Sequence, residues 1–479
     1  MRNWISTGLL VAGLCSAITA HAKVTADAKD AVKSLMTIGD ALDSPDHHPV
    51  HILYVHGIDE IGAGDSATLR NSICTRLNLC AISDWKNAGA EFPDRGEFTP
   101  GAQPPDMNYL GTPVWKDAEE WRASAPFVVH WVVHLRNHPA TLVVDEINWW
   151  PLVLAIKCRH IVAAEPYLSG PNRPLLDVCS QQSKQDPDGL GHFYRWITTE
   201  QAAKLAAMKP HGALVNRSLK GGLVDWGLSD VVLVVSPIGG ILRDAIRQLM
   251  AKSAAFDPNG NGIASGGDAR GRYDWRAQMR GRNTIDQEFI GVAHSLGGYL
   301  LFNTLNAVPP GAGTTAADVA RNSDENNAVE YIFQRTSLFY FFANQLEMLE
   351  ITNLDSRPAA DQNADKRPAA ANAAHAQAAN FRELFDRWQQ IQSSFQVAVH
   401  PSDAAARKTI QVVAWSDPSD VLTWRVPRIG SVDVINLYVQ NAPHWLWLFE
   451  SPTSAHANYA QNKGVLRVMF NDSKAPRPQ

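Results

Sequence analysis

Phe289-Ile290-Gly291-Val292-Ala293-His294-Ser295-Leu296-Gly297-Gly298-Tyr299 is the stretch on which the reading of this chain turns. An apolar, β-prone run meets a serine between small residues, and a helix-compatible run, Gly298 to Ala307, follows. A buried strand that enters a sharp turn and leaves as a helix forces the turn residue into strained backbone geometry, with its side chain exposed above the sheet. Small residues are needed two before and two after the turn residue, because strand and helix backbones pass close together there. Gly297 meets that need fully. Ala293 adds one methyl to the glycine of the usual G-x-S-x-G pattern. A plain strand followed by a glycine-rich helix start would give similar letters, so the remainder of the chain has to decide.

Outward from this stretch, the apolar runs are short, β-branched and separated by helical patterns, as buried parallel strands are. His51 to Val55 is one, followed at once by His56-Gly57. Phe127 to Leu135 and Thr141 to Ile147 are two more, with a turn at Asn137-His138-Pro139-Ala140. Glu288 to Val292 leads into the serine. Ser337 to Phe342, Thr409 to Trp415 and Val432 to Val439 complete the set, with a helix expected over Phe381 to Phe395. The alternation predicts an α/β protein with a mostly parallel central sheet flanked by helices.

In this order of elements the chain resembles the α/β-hydrolase superfamily, over residues 50–60, 286–345 and 408–470. The resemblance implies a triad in the order serine, acid, histidine, each just past the C-terminal end of a strand. Ser295 takes the nucleophile position. Two carboxylates follow the strand ending at Trp415: Asp420 fits the usual reach of the acid better, while Asp417, before a proline, is also a natural Asx-turn former. For the base, His456 in Ser454-Ala455-His456-Ala457 fits the histidine loop, and His444 after Ala442-Pro443 is the other candidate. The oxyanion donors would be the backbone N–H groups of Ile58 and Leu296, with Gly57 permitting the tight turn. His56, Gly57, His294, His444 and Trp445 are the expected pocket residues. The implied activity is carboxylic-ester hydrolysis of esterase or lipase type. Peptidase, thioesterase or acyltransferase chemistry on the same triad, or a catalytically silent binding fold, are the alternatives.

The chain begins with a short positive leader, an apolar stretch from Ile5 to Thr19 and Ala20-His21-Ala22, which reads as a secretory signal peptide over residues 1–22. Its apolar core falls short of the about 20 residues of a spanning helix. A secreted or periplasmic single-domain protein over 23–479 is expected. Of five cysteines, Cys15 would leave with the leader; the sequence-local pairing of the others is Cys74–Cys80 with Cys158–Cys179. The net charge of −5 is too mild for a polyanion partner, and no basic run or zinc spacing supports nucleic-acid binding.

The long segment of about 60–285 is expected to hold a cap or insertion that selects the substrate, a small-molecule or lipid ester. Trp149-Trp150 and Trp445 with Trp447 offer either acyl-pocket walls or a transient lipid-surface contact, burial being the commoner fate of tryptophan. Val231 to Val235 is followed by an expected turn at Pro237 to Gly240. Asp355 to Asn380 is low in complexity and reads as a surface excursion. Asp257, Asn259, Asn261 and Asp268 match a calcium loop incompletely, since Asp268 stands where a bidentate glutamate belongs. His130 and His134 share a strand face without an evident third ligand, which favours packing. No metal or cofactor is expected.

Overall fold

The computed structural model describes residues 35–44, 48–57, 64–93, 104, 108–109, 112–162, 178–179, 197–207, 227–258, 287–305, 316–350, 381–399, 409–420, 422–427, 432–441 and 452–470. The chain divides into residues 1–35 and 36–479. Only Leu35 of the first part is described, and all that follows concerns the second.

Among the described residues eight strands form one sheet: β1 (Val50–Val55), β2 (Lys86–Glu91), β3 (Phe127–His134), β4 (Thr141–Asn148), β5 (Glu288–His294), β6 (Thr336–Phe342), β7 (Gln411–Ser416) and β8 (Asp433–Tyr438). Their spatial order is β8-β7-β6-β5-β1-β4-β3-β2. From β8 through β4 every neighbouring pair is parallel, whereas β3 runs antiparallel to both β4 and β2. The apolar composition of β3 reads as that of a parallel strand, but its connection to β4 decides otherwise. Only residues 135–140 join them, and a parallel crossover needs about a dozen residues or more.

Both faces of the sheet are covered, which is why its central strands are apolar without alternation. All residues of β1 and β6 are buried. Along β6, Phe339 and Phe341 turn to one face and meet Phe302, Phe385 and Trp388. Tyr340 and Phe342 turn to the other and meet Trp415 and Tyr459. Each such buried ring contributes about 1.5–3 kcal/mol by leaving water.

The helices that use these faces include α1 (Ala67–Leu77), α2 (Trp150–Ile156), α3 (Pro237–Ala255), α4 (Leu296–Leu305), α5 (Ala316–Arg335), α6 (Phe381–Val399) and α7 (Pro452–Ala457). The turn expected at Pro237 to Gly240 is instead the first turn of α3, because proline at the first helical position sacrifices no hydrogen bond. Ser236 caps it, its hydroxyl accepting from the Ile238 N–H at 3.2 Å. Residues 60–285 are not wholly an addition to the sheet, since β2, β3 and β4 lie within them.

Cys74 is bonded to Cys80 and Cys158 to Cys179. Two disulfides are compatible with an extracellular location. Among the described residues no helix is long and apolar enough to cross a membrane. Residues 1–22 and 355–380 lie outside the described residues.

Candidate active site

The carboxyl ends of β1, β5, β6, β7 and β8 all feed one site, which is where an open parallel sheet leaves a crevice for a ligand. At the end of β5, Ser295 has φ 53°, in the left-handed region. L-residues pay about 1–2 kcal/mol to sit there. Its N–H donates to Phe342 O at 2.7 Å, and its own carbonyl accepts from Gly298 N–H at 3.1 Å as α4 begins. Gly297 leaves no room for a Cβ unless the backbone shifts, because it would intrude on the carbonyl oxygens of Val55 and His56. Ala293 is fully buried between Val55 and Phe341 in the neighbouring strands.

His456, on α7, completes a continuous hydrogen-bonded chain. Its Nε2 lies 2.8 Å from Ser295 Oγ, and its Nδ1 lies 2.9 Å and 3.0 Å from the two oxygens of Asp420. An ionised carboxylate only accepts, so Nδ1 carries the proton and Nε2 is left to accept from the serine hydroxyl. Asp420 is further held by the Leu422 N–H at 2.9 Å and by the Tyr459 hydroxyl at 3.2 Å. Burial, with Asp420 close by, keeps the Tyr459 hydroxyl protonated far above its ordinary range, so it remains a donor.

Asp417 does different work. Its carboxylate accepts from the Ser419 N–H at 2.8 Å, closing an Asx turn, and from the Asn441 N–H at 2.5 Å. It therefore ties the loop after β7 to the loop after β8. The Asp417 N–H in turn donates to the Tyr459 hydroxyl at 2.7 Å. Asn441 passes the support on, its side chain donating to Ala455 O at 2.8 Å, next to His456.

His294 and His56 are built into the walls of the site. The His294 Nε2 lies 2.8 Å from the His456 carbonyl, so it donates and anchors the loop that carries His456. His56 is fully buried, stacks on Trp149 with ring centroids 5.1 Å apart, and donates from Nδ1 to Gly57 O at 2.9 Å. Trp149, 1% exposed, donates to His56 O at 2.9 Å and so belongs to the core, not to a lipid-facing surface. Gly57 leaves no room for a Cβ, which would stand 2.8 Å from Ser295 Cβ.

The chain beyond Gly57 returns at Gly64, whose N–H donates to Glu146 at 2.6 Å; Ser66 N–H donates to the same carboxylate at 3.2 Å. Ile58 lies between these anchors, outside the described residues. Leu296 opens α4, and the leading N–H groups of a helix have no acceptor within it.

One contact was not anticipated from the sequence. Gln345, three residues past β6, donates from Nε2 to Ser295 Oγ at 2.8 Å. The signal available was its position, since a polar residue just past a parallel strand falls at the same sheet edge as Ser295 and Asp420.

His444 and Trp445 lie outside the described residues, as do Asn259, Asn261 and Asp268; only Asp257 of the calcium-type loop is described. Among the described residues no group of three or more histidine, cysteine or acidic side chains could hold a metal ion. His130 bonds to Asp145, and His134 Nδ1 lies 3.0 Å from Thr141 Oγ1 across the hairpin. No family model matches the chain, and neither a curated protein nor a solved structure matches it.

Proposed function

We propose that this protein is a serine hydrolase of the α/β-hydrolase type that cleaves carboxylic esters through an acyl-serine. The reading rests on the Asp420–His456–Ser295 chain of hydrogen bonds, with a serine held at φ 53° above the sheet. A serine hydroxyl is a weak nucleophile at neutral pH, and a neutral imidazole at 2.8 Å is placed to take its proton during attack. The carbonyl π electrons move onto oxygen, and the Leu296 and Ile58 N–H groups receive that oxyanion. Collapse expels the alcohol, which takes the proton from His456, and water repeats the cycle on the acyl-enzyme. Asp420 fixes the imidazole tautomer and stabilises its positive charge.

In this reading part of residues 60–285 covers the site and selects the ester. The apolar leader and the two disulfides support an exported protein.

The test is labelling with a fluorophosphonate, alongside hydrolysis of p-nitrophenyl esters of graded chain length. The mature protein should be labelled and Ser295→Ala should not. Equal labelling of the two, or none of either, would sink the proposal. The chain-length profile then separates esterase from lipase behaviour.

A further inference from the structure

We propose that Gln345 is a further catalytic residue, whose side-chain N–H passes from Ser295 Oγ to the oxyanion as the tetrahedral intermediate forms. The proposal rests on the serine-hydrolase reading above.

Hydrogen counting fixes the direction of the contact. Ser295 Oγ has one hydrogen and two lone pairs. The hydrogen goes to His456 Nε2, so the amide at 2.8 Å must meet Oγ with its nitrogen and donate. Gln345 is 1% exposed, and its Oε1 is buried with no hydrogen-bond partner among the described residues. A buried amide that leaves its oxygen unsatisfied to put its nitrogen on a serine runs against the usual economy of cores.

The backbone leading to it is equally specific. Ala343 adopts φ 51°, so the residues ending two adjacent strands, Ser295 and Ala343, are both non-glycine residues in the left-handed region. Ala343 N–H donates to Trp415 O at 3.2 Å, and Asn344 is fixed through the Trp424 N–H to its carbonyl at 2.7 Å and the Leu346 N–H to its side chain at 3.0 Å. The loop that carries Gln345 is thereby locked to the segment that carries Asp420. Strain of this kind persists only where surrounding contacts enforce it, and it collects at active sites.

In the resting enzyme the amide occupies a lone pair on Oγ. During attack the Oγ–H proton moves to His456 Nε2, the Oγ lone pair forms the new bond to the ester carbon, and the C=O π pair becomes the oxyanion. Oγ then offers the amide a poorer acceptor, while the oxyanion develops two bonds away, on the far side of the former carbonyl carbon. The N–H exchanges a bond to a neutral hydroxyl for a charge-assisted one, about twice as strong. Only an interaction that strengthens toward the transition state raises the rate.

The experiment compares wild type, Gln345→Met, Gln345→Ala and Ser295→Ala on a p-nitrophenyl ester and its thionoester. Thermal unfolding of each variant verifies folding. Loss of one oxyanion donor should lower kcat by about 10²–10³, with KM changed less than about threefold. Sulfur accepts hydrogen bonds poorly, so the wild-type preference for the oxygen ester should shrink in both Gln345 variants. A displaced serine would slow both esters alike. The proposal is overturned if a folded Gln345 variant keeps kcat within about threefold of wild type, or loses rate with an unchanged oxygen-to-sulfur ratio. If wild type itself neither labels at Ser295 nor turns over ester, the hydrolase reading fails and takes this role with it.

Discussion

His456 leans on Asp420, in the loop after β7, and His130 leans on Asp145, within β4, and their surroundings send them to opposite uses. His456 shows one nitrogen to Asp420 and the other to a hydroxyl. His130, fully buried, shows Nδ1 to Asp145 at 2.5 Å and Nε2 to Glu91 at 3.2 Å, and stacks on Phe256 with centroids 4.2 Å apart. Asp145 also accepts from His51 Nδ1 at 2.8 Å, and Glu91 lies 3.5 Å from Lys252. Burial opposes charge on His130, but hydrogen bonds to two carboxylates outweigh it and carry its pKa up to about 9. An imidazole between two carboxylates is held as a cation and has no nitrogen left to accept a proton. The aspartate–histidine pair is thus not itself a base. What distinguishes the two is the partner on the second nitrogen.

The sharpest way to break this contrast is to remove the hydroxyl or the ring at the sheet edge. Ser295→Ala and His456→Ala should each lower kcat by about 10⁶, measured on a p-nitrophenyl ester, with urea-unfolding midpoints close to wild type. Comparable residual turnover in either variant would mean that the chemistry runs elsewhere. Exchanging the two aspartates comes next. Asp420→Asn should cost about 10⁴ in kcat with little change in stability. Asp145→Asn should leave kcat per folded molecule unaltered and cost about 3–5 kcal/mol of stability by stranding buried charge. The reverse assignment of effects would invert the comparison.

The buried histidine also has a pH signature of its own. Because its pKa in the folded protein lies above the unfolded value, the stabilisation from His130 is complete below about pH 6.5 and is lost as pH rises through about 9. The loss should amount to about 3 kcal/mol in urea unfolding, and His130→Gln should flatten that part of the curve. On the acid side the order reverses. Burial opposes ionisation of Asp145 and Glu91, but His51 and His130 beside the first, and His130 and Lys252 beside the second, hold both below their usual range. Their contribution therefore disappears as pH falls through those depressed values. A smaller effect belongs to Gly297→Ala, whose methyl must displace the backbone of Val55 and His56. It should cost about 1–3 kcal/mol and lower kcat in parallel.

Chain order carried much of this arrangement. A strand, a small-residue turn and a helix around Ser295, a carboxylate shortly after a later strand and a histidine after the last one are local patterns, and the structure brings Ser295, Asp420 and His456 into contact. The choice between Asp417 and Asp420 was not local, because both follow the same strand; it depends on Asn441 and Tyr459, which come from other loops. Gln345 has no motif, since glutamine is ordinary in loops and only the packing of β6 beside β5 brings it to Oγ. The direction of β3 depends on connection length rather than on composition. His56 and His294, expected as pocket residues, serve as framework beside Ser295, because their hydrogen bonds go to main-chain carbonyls.

The left-handed serine also sets stability against use. Glycine at 295 would adopt φ 53° without the cost of about 1–2 kcal/mol that a Cβ incurs there. A Ser295→Gly protein should therefore unfold at a somewhat higher temperature while losing turnover; an unchanged or lower midpoint would show that the hydroxyl's two hydrogen bonds outweigh the relief. Selection for thermostability alone would drift toward that glycine, so a stabilised variant of this protein must be screened for reactivity at the same time.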